Sequence, residues 1–202
     1  MTDSTHADPA TPPVKWSSII VSAYLPTLMS SLGYGAVIPL IPLTAVHIGA
    51  SAALAAAIAA LVGIGQIIGD VPAGWLVTKI GEKWSLVIAM LIDAVALVSM
   101  GLVHHLGLLA VAVFVNGMAG AVYGIARQNY LTVAIPYRYR ARALSTLGGV
   151  FRVGWFVGPM AGSWILREAS MSWAYGFASV ASVLALSLIH ISEPTRRYAL
   201  SY

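Results

Sequence analysis

Four charged residues stand inside otherwise apolar stretches: Asp70, Asp93, Arg127 and Arg152. A charge at the centre of a bilayer costs at least ~2.5 kcal/mol on insertion scales, so such a residue should face an interior and find a partner. At a rise of ~1.5 Å per residue, Asp93 and Arg152 both fall about 12–14 Å from the same end of their segments. Asp70 and Arg127 lie nearer that end. Depth permits the pairs Asp93/Arg152 and Asp70/Arg127, and at least one is expected to change partner or protonation during function. A static ion pair fits the same spacing. A second set is polar and uncharged: Tyr24, Ser30, Ser31 and Tyr34 early in the chain, then Asn116, Tyr123 and Gln128. Asn116, Gly120 and Gly124 are four apart and share a helix face, with Tyr123 beside them. Each of Tyr34, Asn116 and Tyr123 makes an interhelical hydrogen bond or, if its helix borders a cavity, is a candidate to line it. The chain has no cysteine, and His47, His104 and His105 lie near segment ends without metal-ligand spacing. No serine–histidine dyad falls at a common depth. The reading is therefore of no enzyme, no cofactor and no metal site.

The segments that must position these residues are set by composition. Of 202 residues, 59% are hydrophobic and 9% are charged, with mean hydropathy +0.84. A soluble domain carries about 25% charged residues, so an all-α membrane protein is expected. A span needs ~20 apolar residues, and six are read: 16–38, closed by Pro39 and Pro42; 52–77, capped by Ser51; 84–103; 106–130, with a continuation to 135; 144–166; and 172–189. Residues 1–15 form a polar tail without the layout of a cleaved signal peptide. Residues 137–143 form a basic loop. Lys15, Lys79, Lys83, Arg138, Arg140 and Arg142 fall on one side and Arg167 on the other. That asymmetry puts the N-terminus in the cytoplasm and the chain in the cell membrane. The net charge of +4 reports topology; the lipid bilayer is the expected partner, not nucleic acid.

Small residues recur at helical spacing. The fifth segment carries Gly154, Gly158, Pro159 and Gly162, and the second carries Gly65, Gly69, Pro72 and Gly74. Small residues four apart let another backbone approach closely. The connection after the second segment, Gly74-Trp75-Leu76-Val77-Thr78-Lys79-Ile80-Gly81-Glu82-Lys83, resembles the loop signature of the major facilitator superfamily. Gly74, Lys79, Gly81 and Lys83 match it. Thr78 replaces the usual acid, for which Asp70 is the expected substitute, and Glu82 replaces the first paired basic residue. The fifth-segment pattern resembles that of the superfamily's proton-coupled drug antiporters.

The resemblance implies one six-helix half of the major facilitator fold, built as a 3+3 inverted repeat. It implies that the loop latches two halves together, that helices one and four line the cavity, and that helices two and five meet the opposite half. The glycine face of helix five is then expected to await a partner that this chain does not encode. The implied function is secondary transport of a small molecule by alternating access, as proton-coupled efflux. The alternatives are a nutrient or metabolite carrier and a non-transporting membrane sensor. The family's fourth helix often has an arginine four residues before a glycine; here Asn116 precedes Gly120. Finally, Leu186 to Arg196 reads LSLIHISEPTR, which resembles a translated sequencing adapter. Residues 186–202 are therefore expected to be an artefact overlapping the end of helix six, with 16–185 as the transporter half and a second half beyond it.

Overall fold

The computed structural model describes residues 19–191, and every element among them is helical. A π-helical turn, Ile20–Tyr24, leads into α1, Leu25–Val37. Pro26 stands at the start of α1, where it brings no N–H, and the wider π turn lies directly before it. The expected closure at Pro39 and Pro42 does not occur. Ile38 and Pro39 keep right-handed helical dihedrals, and α2 runs on over Leu40–His47. Pro42 falls in the first turn of α2, where a missing N–H leaves no helical bond unmade.

The next helix, α3, spans Ala52–Leu102, and Ser51 caps it by accepting from the Leu54 N–H. A straight helix of 51 residues would be about 76 Å long, more than twice the ~30 Å hydrocarbon core. Gly81, at φ 82° and ψ 164°, breaks it into arms 52–80 and 82–102. That region is open to glycine and strained for any other residue. The reversal therefore sits at Gly81, beyond the Gly69–Gly74 stretch. Pro72 stays inside the first arm.

Helix α4 covers Leu106–Ala134, with His105 Nδ1 accepting from the Gly107 N–H. Helix α5 covers Tyr137–Glu168 and α6 covers Met171–Ile191. The expected basic loop 137–143 is instead the first two turns of α5. Pro136 precedes the helix, Ala143 and Leu147 bury its inner face, and Arg140 Nε donates to the Ile135 carbonyl. Among the described residues, four helical runs are long and apolar enough to cross a membrane: Ile20–His47, Ala52–Leu102, Leu106–Ala134 and Met171–Ile189. The six expected segments thus take the form of four apolar runs, one doubled back at Gly81, together with the more polar α5. Residues 1–15 lie outside the described residues, as do 192–202 of the suspected tail; 186–191 continue α6.

Glycine sets the helix contacts. A Cβ at Gly65 would collide with the Phe114 carbonyl, and one at Gly117 with the Val62 carbonyl, so the first arm of α3 lies backbone-close to α4. A Cβ at Gly158 would come 2.6 Å from the Leu32 oxygen and 2.7 Å from the Ala36 nitrogen; one at Gly162 would come 2.8 Å from the Ala36 oxygen. Helix α5 therefore seats its glycine face on α1. This corrects the expectation that the face awaits a missing partner: residues 28–36 of this chain fill it. Helix α6 is tied to the second arm of α3 by serines. Ser172 donates to the Gly101 carbonyl at 2.6 Å and Ser179 to the Ala94 carbonyl at 3.3 Å.

Candidate functional site

Five helical segments line one cavity of about 120 Å³, four of them with polar side chains. Ser30 and Tyr34 come from α1, Gln66 from the first arm of α3, Asp93 from the second arm, Asn116, Tyr123 and Arg127 from α4, and Phe151 from α5. The rest of the wall is largely apolar, including Val37, Ile38, Ile41, Met90 and Leu97. Tyr34, Asn116 and Tyr123 stand in this wall. They are joined by two of the four charges, Asp93 and Arg127.

Asp93 is held by hydrogen bonds rather than by a cation. The buried Asn116 donates Nδ2–H to Oδ1 at 2.6 Å, and the buried Ser182 donates its hydroxyl to Oδ2 at 2.6 Å. Short bonds to a carboxylate are among the stronger hydrogen bonds, and here each oxygen receives one. No ion pair joins Asp93 to Arg152. Arg152 is exposed on α5, because it lies about 200° around the helix from Gly154, whose face meets α1. The pair Asp70/Arg127 does not form either. Asp70 is exposed on α3, one position past the buried Gly69. Asp70 and Arg152 are thus not buried charges within this chain.

Arg127 is half-buried, and its Nε and Nη1 are buried without a hydrogen-bond partner. Its guanidinium lies between two rings, 5.3 Å from the Tyr123 centroid and 5.1 Å from that of Phe151. Cation–π contact of this kind compensates part of the lost hydration.

The glycine-loop residues gather away from the cavity. Lys79 Nζ stacks 4.5 Å from the Trp75 ring, and Gly81 makes the turn. Glu82 accepts from Asn129 Nδ2 at 3.0 Å, tying the turn to α4. Gly74 has open space where a side chain would be, so no close contact within this chain requires a glycine there. Lys83 follows the turn as α3 resumes. In α5, Gly154, Gly158 and Gly162 are buried against α1, and Pro159 remains helical between them.

Sequence reasoning missed Ser182, Gln66 and Phe151. Ser182 was findable: Ser172, Ser179 and Ser182 share one face of α6, a polar stripe on an apolar helix. Gln66, an amide inside an apolar run, was a comparable signal. Phe151 gives none, since an aromatic residue in an apolar helix is ordinary. Among the described residues, no three His, Asp or Glu side chains gather as a metal site would require.

The chain is 24% identical over 186 residues to an uncharacterized MFS-type transporter of Mycobacterium tuberculosis, covering 92% of this chain and 27% of that protein. It is 29% identical over 193 aligned positions to a class H tetracycline resistance protein of Pasteurella multocida, covering 90% of this chain and 46% of the relative. It is 22% identical over 175 residues to the quinolone resistance protein NorA of Staphylococcus aureus, covering 86% and 45%. The chain therefore spans about half the length of two of these relatives and about a quarter of the third. The family model for the Major Facilitator Superfamily matches residues 23–201. With a match over most of its length, an all-helical fold and helices apolar enough for a membrane, the chain belongs to the Major Facilitator Superfamily, a family of membrane transporters and not of enzymes.

Proposed function

We propose that this chain is the N-terminal six-helix half of a secondary transporter that exports a small molecule by alternating access, driven by protons. The carrying observation is the cavity: one carboxylate, one unpaired guanidinium and a set of hydrogen-bonding side chains within apolar walls. A ligand pocket is mostly apolar with a few convergent polar groups. The relatives named for tetracycline and quinolone resistance support export as the direction.

The six-span count follows if α3 crosses twice and α5 crosses once. Packing supports the 3+3 repeat. The second span leans on the fourth through Gly65, Gly69 and Gly117, and the fifth leans on the first through Gly35, Gly154, Gly158 and Gly162. Exchanging spans one to three with four to six exchanges these two contacts, as an inverted repeat requires. The charge asymmetry of Lys79, Lys83, Arg138, Arg140 and Arg142 supports loop ends in the cytoplasm, in a cell membrane with the N-terminus inside. The Gly74–Lys83 region, with Asp70 exposed above it, is the surface that would latch the second half. The adapter-like residues 186–202 are foreign in this reading, and the natural chain carries the second half after Ala185.

Asp93 is the proposed proton carrier. Two hydrogen bonds hold its charged form, and conformational loss of either would favour its protonation. Proteoliposomes of the full-length gene product, loaded with tetracycline or norfloxacin under an imposed pH gradient, test the reading. Gradient-driven flux is expected, and Asp93→Asn should abolish the dependence on the gradient while leaving downhill exchange. Flux of neither drug in either direction would overturn transport of this drug class. Flux that ignores the gradient in the wild type would overturn proton coupling alone.

A further inference from the structure

The unused chemistry in the cavity belongs to Arg127, and we infer that it is the anchor for a small aromatic monocarboxylate. The inference rests on the transport reading and adds a substrate class to it. A guanidinium carries five N–H donors and no acceptor. In Arg127, Nε and Nη1 are buried and bond to nothing, while the Tyr123 hydroxyl lies close to the group. No acid neutralises it: Asp93, in the cavity wall, is committed to Asn116 and Ser182, and Asp70 is exposed outside the cavity. Buried N–H donors left without an acceptor are costly to maintain. An anion entering the cavity would supply the missing acceptor.

The surroundings narrow the anion. Tyr123 and Phe151 flank the guanidinium, and Val37, Ile38, Ile41, Met90 and Leu97 line the remaining space. Flat and apolar ligand surface fits these walls; a hydrated phosphate does not. The volume of about 120 Å³ has room for roughly eight to twelve waters, which suits a single-ring acid. At the far end stands Asp93. Its partner Asn116 lies eleven residues from Arg127 along α4, about 16 Å at a helical rise. A second negative charge on the ligand would be driven toward that carboxylate, so a dianion is disfavoured and a neutral or hydrogen-bond-donating far end is preferred.

Equilibrium binding of radiolabelled benzoate to the full-length gene product in nanodiscs tests the inference, with benzamide as the neutral isostere and terephthalate as the dianion. Benzoate should bind more tightly than either. Arg127→Gln should weaken benzoate by at least tenfold and leave benzamide unchanged, and Arg127→Lys should restore part of the loss. The melting temperature, read on the same samples, should rise with benzoate in the wild type and not in Arg127→Gln. Benzamide binding as tightly as benzoate, or benzoate binding that survives Arg127→Gln, would overturn the inference. Drug flux is measured separately, so its failure with benzoate binding intact would count against the transport reading and not against this site.

Discussion

The two charges in the cavity are held in opposite ways, and the difference decides which neighbours matter. Each oxygen of Asp93 receives one donor, from Asn116 and from Ser182, both at 2.6 Å. Interhelical hydrogen bonds in membrane proteins average about 0.6 kcal/mol in double-mutant cycles, with a maximum near 1.7. Asn116→Ala and Ser182→Ala should therefore each destabilise the fold by about 0.6–1.7 kcal/mol. The double variant should cost more than the sum, because the carboxylate is then left with no partner at all. Unfolding in mixed micelles measures all three. Additive or smaller losses would mean that water already shares Asp93 with its two donors. Arg127 gives the converse case. Its unpaired nitrogens make it a group whose removal relieves a burial penalty, so Arg127→Gln should raise stability in the absence of ligand. Of the two, then, Asp93 is a structural anchor as well as the proposed proton carrier, and Arg127 is held by two rings with two of its nitrogens unbonded.

At the scale of helices, glycine separates into three uses that substitution can tell apart. Gly158 lies against backbone, and a Cβ added there would come within 2.6–2.7 Å of Leu32, Gly35 and Ala36. Gly158→Ala should force α5 off α1 and destabilise by about 1–3 kcal/mol, the range for overpacking. Gly149, on the same helix, has open space, and Gly149→Ala should stabilise by up to ~1 kcal/mol through helix propensity. Gly81 also has open space, but its φ of 82° makes Gly81→Ala costly by about 1–3 kcal/mol from backbone strain alone. Thermal unfolding of the three variants should show a loss for Gly158→Ala and Gly81→Ala and a gain for Gly149→Ala; a neutral Gly158→Ala would mean that α1 and α5 have room to spare. The sequence carried much of this level. Ser51 as a cap, the starts of α3 and α4, the glycine stripe and the polar trio Tyr34, Asn116 and Tyr123 were all legible as departures from apolar helix. Pairing was not. Distance along a helix fixes depth, but a contact also needs the angle around the axis. The angle was available for Arg152, two residues and about 200° from Gly154; only the tertiary seat of that glycine face on α1 gave it meaning. Pro39 and Pro42 misled for a local reason, since proline ends a helix in its interior and is harmless in its first turn.

For the whole molecule, the exposed surface divides by what could cover it. Ile67, Val71 and Trp75 on α3 and Phe156, Met160 and Trp164 on α5 are exposed and apolar, and a bilayer satisfies such residues. Asp70 and Arg152 are exposed on those same two helices, and hydrocarbon does not satisfy them. A surface that mixes large apolar side chains with isolated charges at membrane depth is suited to protein on one side and an aqueous path on the other. In the proposed reading, this surface faces the second half across a central cleft. These 202 residues include no cysteine, so single cysteines report on them without a prior clearing of native thiols, and any cysteine elsewhere in the full-length product is first replaced by serine. Asp70→Cys and Arg152→Cys should both react with a charged, water-soluble maleimide in the 202-residue chain. If the proposed second half covers this surface, reaction at one or both in the full-length gene product should be suppressed and should change when substrate shifts the access state. Val95→Cys, on the exposed apolar face of the second arm of α3, should stay unreactive in both forms because lipid covers it. Equal labelling of Asp70→Cys and Arg152→Cys in the two forms, with Val95→Cys still silent, would place these charges on water-facing surface outside the interface. It would also move the latch away from α3 and α5. A drop in labelling would instead tie both charges to the closure that exposes the cavity alternately to each side.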